Sequence, residues 1–308
     1  MALHVIFGAG GPLADAVAQT VLARHGRVRT VSRRGTANLS SGVEVVRGDA
    51  TDPARTRELC RGASVVYHCA GAPLAEWPAT LPRLMAGIIE GASDAGAKLV
   101  YADNLYGYGP VNGPLFESLP DRPAGPKGAV RARVARQLLD AHREGRVRAV
   151  IGRASDFYGP GVRLSALGER VFAAALANRS ASVLGDVDAA HSFSYIGDFA
   201  ASLVTLGEHD EALGQVWHVP HDVPLTMREM LVFVYAEAGA TLRFRAASRL
   251  MLNLAALVNP MARELKETFY QFERPFVVDH AKFARAFGAS PTRHREAIRA
   301  TLDWWAMA

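Results

Sequence analysis

The chain has 308 residues, 49% of them hydrophobic, and a formal net charge of +5, enough for one large domain, or a domain with a smaller lobe, around a sizeable core. No run reaches the ~18 uninterrupted apolar residues of a membrane span, and Cys60 and Cys69 lack metal-ligand spacing and read as small buried hydrophobes of a reducing compartment. The cations are 31 Arg and only 4 Lys, scattered along the chain rather than gathered in a tail or stripe, which argues against a nucleic-acid partner and leaves an anionic small ligand compatible.

In chain order, short β-rich runs recur at Val5–Phe7, Arg27–Val31, Val43–Val46, Val65–His68, Leu99–Ala102 and Val147–Ile151. Helix-like stretches separate most of them, as in Leu13–Arg24, where Leu13, Val17 and Val21 share a face. This alternation predicts an α/β fold, a doubly wound parallel sheet with helices on both faces. No leader is visible ahead of the first run, so the expected location is cytoplasmic. After about residue 160 the rhythm breaks, and segments 161–185 and 222–308 carry helical patterns without regular strand partners. The expected division is a dinucleotide-binding domain over 1–160, with 191–220 returning to it, and a mainly helical, substrate-binding lobe over 161–308. The apolar run LMLNLAALV at 250–258 reads as a buried helix of that lobe.

Between the first strand and the first helix stands GAGGPLA. Gly8 and Gly10 permit a tight turn, Gly11 lets backbone approach a ligand, and Pro12 suits a first helical position. Leu13 breaks the G-x-G-x-x-G spacing, whereas G-x-x-G-x-x-A fits with Gly8, Gly11 and Ala14. A helix N-terminus at this junction offers free N–H groups to a pyrophosphate, so the loop points to a dinucleotide. At the end of the second strand an acid would bind the ribose 2′-OH of NAD; TVSRRG places Ser32, Arg33 and Arg34 there instead. Two guanidinium groups suit a 2′-phosphate, so the expected cofactor is NADP(H), with NAD(H) the alternative. Asp49 in VRGDATD can cap the next helix, face the adenine amino group or do both, and no spacing of His, Cys, Asp and Glu suggests a metal.

In their order these motifs carry a resemblance. GAGGPLA, GDATD, VVYHCAG, VYADNLYGYG, GRASDFYGPG, SFSYIGD and RPFVVDHAKFARAFG resemble successive landmarks of the extended short-chain dehydrogenases/reductases, the NAD-dependent epimerase/dehydratase group, over nearly the whole length. The resemblance implies a Rossmann-type fold, cofactor contacts near Ala70, Gly71 and Ser155, and a Ser, Tyr and Lys that act together on a substrate oxygen. The corresponding positions here are Asn104, Lys127 and Arg131, so the chain departs from all three.

Asn104 can donate a hydrogen bond but transfers no proton. Arg131 can hold a ribose or phosphate and is no acid near neutrality. Lys127 is the best substitute proton donor, because burial and a neighbouring cation both disfavour an ammonium; Tyr106 and Tyr108 are further candidates. Asp103 and Asp156 fall at strand ends, where doubly wound folds gather ligands. Where nucleotide-sugar members carry a phosphate-binding Arg, this chain has His191, with Arg163 able to compensate. The expected function is an NADP(H)-dependent oxidoreductase acting on a carbonyl or alcohol of a small molecule. The alternatives are a redox-neutral epimerase or dehydratase and a non-catalytic regulator of the NmrA-like kind. Beyond that small molecule no nucleic-acid or membrane partner is expected, and the resemblance implies a homodimer paired through helices over 80–95 and 127–144.

Overall fold

The structure, a computed structural model, describes residues 1–35 and 42–308. Its strands and helices alternate as β1 (Leu3–Phe7), α1 (Pro12–Ala23), β2 (Arg27–Ser32), β3 (Val43–Arg47), α2 (Pro53–Cys60), β4 (Ala63–His68), α3 (Trp77–Asp94), β5 (Lys98–Asp103), α4 (Pro126–Arg143) and β6 (Arg148–Arg153). With the strand Val216–His218 these form one seven-stranded sheet. From that strand the order runs β6, β5, β4, β1, β2, β3, and every pairing is parallel. The predicted doubly wound Rossmann-type sheet is therefore present. The strand order reverses between β1 and β4, and in such sheets ligands gather at the carboxyl ends beside that reversal.

The sheet reads as it does because its strands are covered on both faces, so they are continuously apolar rather than alternating. All five residues of β1 are buried, and β6 buries every residue after Arg148. One large core joins Val5, Phe7, Val66, Leu99 and Ile151 of the sheet to Met85, Ile88, Val134 and Leu138 of α3 and α4. Local chemistry sets the helix starts: Asp52 accepts hydrogen bonds from Ala54 N and Arg55 N, and Pro53 follows at the first helical position.

The chain divides into two compact units. The first comprises Met1–Gly107, Pro126–Ala154 and Phe199–Val219; the second comprises Tyr108–Gly125, Ser155–Asp198 and Pro220–Ala308. Compared with the expected division at 160, the chain leaves the first unit at Ser155, and the segment 108–125 also departs. The reason is strand pairing: Phe157–Tyr158 pairs with Ser194–Tyr195 instead of extending the large sheet. The return is correspondingly shorter than 191–220.

The second unit is mainly helical, but it contains strand pairs that the sequence reading had not resolved. Ala190–His191 pairs with Leu225–Thr226, and Ala181–Leu184 with Phe244–Ala247. Its core gathers Phe172, Phe193, Met230, Tyr235 and Ile298. One expectation is overturned here. The run LMLNLAALV is not a core helix: within 250–258 only Leu252 and Ala256 are buried.

Candidate active site

The glycine loop is folded by its own backbone. Gly8 N and Ala9 N both donate to Val31 O, each at 3.1 Å, and Gly11 N donates to Gly8 O at 3.0 Å. Gly8 has φ +114° and Gly10 φ +81°, a region that side chains disfavour. A Cβ at Gly8 would lie 2.8 Å from Cys69 O and 2.9 Å from Ala70 N, while the space beside Gly10 and Gly71 is open. Gly11 begins α1 without a side-chain cap, Pro12 follows it, and Leu13 and Ala14 are buried as the helix anchor. The loop's own N–H groups are thus engaged, and what it offers a dinucleotide pyrophosphate is the open, side-chain-free space beside Gly10 at the uncapped start of α1. One competing anion was not anticipated. Asp15 Oδ1 accepts from Gly10 N at 3.2 Å, and burial raises its carboxyl above the usual range although that N–H opposes the shift.

At the adenosine end Ser32 closes β2, and its Oγ accepts from Gly35 N at 3.0 Å. Arg33 and Arg34 follow, both exposed, with no acid at the strand end. Asp49 Oδ1 accepts from Thr51 N at 2.8 Å and from Thr51 Oγ1 at 2.9 Å. The Thr51 N–H chiefly holds its carboxyl below the usual range, with Arg33 and Arg83 adding to the effect. Of the two roles open to Asp49, the helix cap belongs to Asp52 instead.

The most constrained chemistry lies at the carboxyl ends of β4, β5 and β6. Tyr101 and Asp103 project to one face of β5, two residues apart. The Asp103 side chain is 1% exposed. Its Oδ2 accepts from Arg153 Nε at 3.0 Å, and its Oδ1 lies 3.7 Å from Arg131 Nε. Arg131 Nη1 donates to the Tyr101 hydroxyl at 2.6 Å, and the guanidinium stacks 4.7 Å above the Trp77 ring. Burial alone would lower the Arg131 pKa, but the Tyr101 hydroxyl and the Asp103 carboxylate outweigh it and raise the value. His68 packs its ring 5.0 Å from that of Tyr101. Its ring nitrogens have no hydrogen-bond partner among the described residues. Burial first, and Arg131 second, push its pKa down to about 3, so it is a neutral aromatic here.

This cluster bears on two expectations. Asp103 is not open to substrate, because it is buried between two guanidinium groups. Arg131, expected to hold ribose or phosphate, turns Nη1 and Nε inward onto Tyr101 and Asp103. Arg153, Tyr101, His68 and Trp77 had not been singled out. The available signal was Arg153 within the buried run RAVIGRAS, since an interior guanidinium requires an interior anion.

Lys127 and Arg131 stand four residues apart on α4, hence on one face. Lys127, in the first turn, is 8% exposed, an uncommon burial for lysine. Asn104 Oδ1 accepts from its neighbour Tyr106 N at 3.1 Å, which leaves the amide NH2 as its donor. Tyr106 stacks with Trp77 at 6.2 Å. Tyr108, in the second unit, is 1% exposed.

Within the second unit, His191 Nε2 and Asp156 Oδ2 lie 3.0 Å apart. The His191 ring is surrounded by Phe193, Phe272 and Phe276, with centroids at 4.7, 5.8 and 5.3 Å. Ser155 N donates to Ser194 Oγ at 3.2 Å, whereas the buried Ser155 Oγ has no partner among the described residues. Arg163 does not compensate for an absent phosphate-binding arginine: its guanidinium stacks 5.0 Å from both Trp304 and Trp305. No group of three or more His, Cys, Asp or Glu able to hold a metal occurs among the described residues.

A parallel doubly wound sheet, a side-chain-free glycine cradle at its first strand–helix junction and an uncapped helix N-terminus define a dinucleotide-binding α/β protein. Residues 4–219 match the NAD dependent epimerase/dehydratase family, and the chain belongs to that family, within the short-chain dehydrogenase/reductase superfamily of NAD(P)-dependent enzymes. No curated protein matches the sequence. Among solved structures, it is similar to a UDP-glucuronic acid 4-epimerase from Bacillus cereus in complex with NAD, at 17% identity, 99% coverage of both chains and a TM-score of 0.83. It is also similar to a UDP-glucose 4-epimerase from Thermus thermophilus in complex with NAD, at 21% identity, 99% coverage of both chains and a TM-score of 0.78. A dTDP-glucose 4,6-dehydratase from Bacillus anthracis in complex with NAD is similar at 14% identity and a TM-score of 0.80, covering 100% of this chain and 97% of that one.

Proposed function

We propose that this chain is an NADP(H)-dependent oxidoreductase acting on a carbonyl or alcohol of a small, fairly apolar molecule. The observation that carries the reading is the setting of His191. Where nucleotide-sugar members of the family carry a cation for diphosphate, this chain has an imidazole held by Asp156 and enclosed by three phenylalanine rings. A diphosphate finds no permanent cation there, and the Asp156 carboxylate beside the imidazole opposes an anion. Arg33 and Arg34, exposed after a β2 strand that itself ends without an acid, support a 2′-phosphate.

When bound, the nicotinamide supplies or accepts the hydride. Lys127 gives the substrate oxygen its proton as the carbonyl is reduced and takes it back in the reverse direction, while the Asn104 amide polarises the same oxygen. Arg131 acts through other groups, keeping the β5 end rigid by its contacts with Tyr101, Asp103 and Trp77. The test pairs calorimetric titration with NADP+ and NAD+ with NADPH turnover over a panel of aldehydes and ketones. NADP+ preference and turnover that Lys127→Ala abolishes, with cofactor binding intact, are expected; unaltered turnover in Lys127→Ala removes the lysine from the chemistry.

A redox-neutral epimerase or dehydratase is the second reading, favoured by family membership and by the fold shared with such enzymes. It would retain its cofactor through purification, so absorbance of bound nicotinamide and NAD+ preference would select it. A stoichiometric protein partner, with no turnover, would select the regulator.

A further inference from the structure

The run at 250–258, expected in a core, has one apolar side too many. Its helix, Arg249–Ala255, starts at Ser248, whose Oγ accepts from Met251 N at 3.4 Å. Helical turns continue beyond it, with Leu257 N bonded to Leu254 O, Val258 N to Ala255 O and Asn259 N to Ala255 O. Leu252 and Ala256 form the inner side and pack with Ala262 and Phe269. At 3.6 residues per turn, Leu250, Met251, Leu254, Leu257 and Val258 fall within an arc of about 120° on the other side. They are 68, 57, 60, 74 and 87% exposed. The remaining exposed large apolar residues are separated along the sequence. Scattered exposed hydrophobes are ordinary in soluble proteins, but a contiguous group of five marks an interaction surface.

Charge selects the occupant. Arg243, Arg245 and Arg249 lie just before this arc and Arg263 and Lys266 just after it, all exposed. The acids within 240–267 are Glu264 and Glu267, both half-buried, and the Arg249 guanidinium is shared with Glu273. A second copy docked through the same patch would set these cations against their own images, because a two-fold interface pairs each patch with itself. An anionic bilayer satisfies both features, taking the aliphatic arc among acyl chains and the cations among headgroups. No helix among the described residues is long and apolar enough to cross a membrane, so such a contact lies in the interface plane.

We infer that the helical segment 249–259 is a peripheral membrane contact. It seats Leu250, Met251, Leu254, Leu257 and Val258 in the outer acyl layer of an anionic bilayer, with Arg243, Arg245 and Lys266 at the headgroups. It runs against the expectation of no membrane partner, and it stands independently of the proposed chemistry.

The test is co-sedimentation of the full chain with vesicles of phosphatidylcholine plus phosphatidylglycerol, and with vesicles of phosphatidylcholine alone. Binding to the anionic vesicles, weaker binding to the neutral ones and release by salt are expected. The triple variant Leu250→Ser, Leu254→Ser, Leu257→Ser, which alters no inner-face residue, should lower the vesicle partition coefficient about tenfold or more with unchanged circular dichroism and melting. Arg243→Gln with Arg245→Gln should remove most of the difference between the two vesicle types. Absence of binding to anionic vesicles overturns the inference, as does binding that the triple variant retains. So does a dimer in sedimentation velocity that the triple variant abolishes while the wild type ignores vesicles, which assigns the patch to a second copy.

Discussion

Removing the Asp103 carboxylate would leave the Arg153 and Arg131 guanidinium groups at the β5 end without their shared anion. Breaking a buried ion pair from one side costs about 3–5 kcal/mol, so Asp103→Ala should lose stability on that order in denaturant titration. Asp103→Asn keeps the shape and some of the acceptor capacity and should lose less. Equal losses would mean that the carboxylate charge carries the whole contribution and its shape adds nothing. His68 makes a second residue-level statement. Its folded pKa of about 3 lies below the ordinary 6.5, so between those values the unfolded chain binds a proton that the folded chain refuses. Stability therefore declines as pH falls from about 6.5 toward 3, with a slope of up to about 1.4 kcal/mol per pH unit from this side chain. His4, His221 and His280 are lowered by burial in the same direction. Melting temperatures measured from neutral pH downward should fall less steeply for His68→Phe than for the wild type; parallel curves would show that His68 does not titrate on unfolding.

At the scale of elements, α3 is held against α2 and its preceding turn by missing side chains. A Cβ at Gly87 would lie 2.1 Å from Ala50 O, and one at Gly91 would lie 2.6 Å from Thr56 O. Thr56 Oγ1 also donates to Gly87 O at 2.6 Å. Overpacking of this kind costs about 1–3 kcal/mol, so Gly87→Ala should lower the melting temperature, while Gly96→Ala, in open space but at φ +62°, should act through backbone strain alone. A Gly87→Ala protein with wild-type stability would mean that the helices separate at no cost. Helices and strands were largely legible in the sequence: Leu13, Val17 and Val21 repeat at helical spacing, and the strands are short apolar runs. The Phe157–Tyr158 and Ser194–Tyr195 pairing was not, because two-residue strands have no period and form only when distant segments meet.

For the whole molecule, a dinucleotide that binds only the folded chain stabilises it by mass action, about 2.7 kcal/mol at a hundredfold excess over Kd. NADP+ should therefore raise the melting temperature more than NAD+ at equal concentration, and Arg33→Ala with Arg34→Ala should erase that difference while leaving the NAD+ effect. A larger shift with NAD+ would refute the NADP assignment and favour the redox-neutral reading.

The sequence by itself determined the sheet and the glycine cradle, because each depends on local spacing along one segment, and the family resemblance set Lys127 and Arg131 at the Tyr and Lys positions. Only the tertiary structure decided what those substitutions meet. Asp103, Arg131 and Arg153 come from β5, α4 and β6, and the carboxylate shared by two guanidinium groups exists only once three distant segments pack. The outer side of 250–258 is the converse case. Its hydrophobicity was plain in the sequence, but whether it was buried depended on a covering surface elsewhere, and Leu252 and Ala256 alone found one.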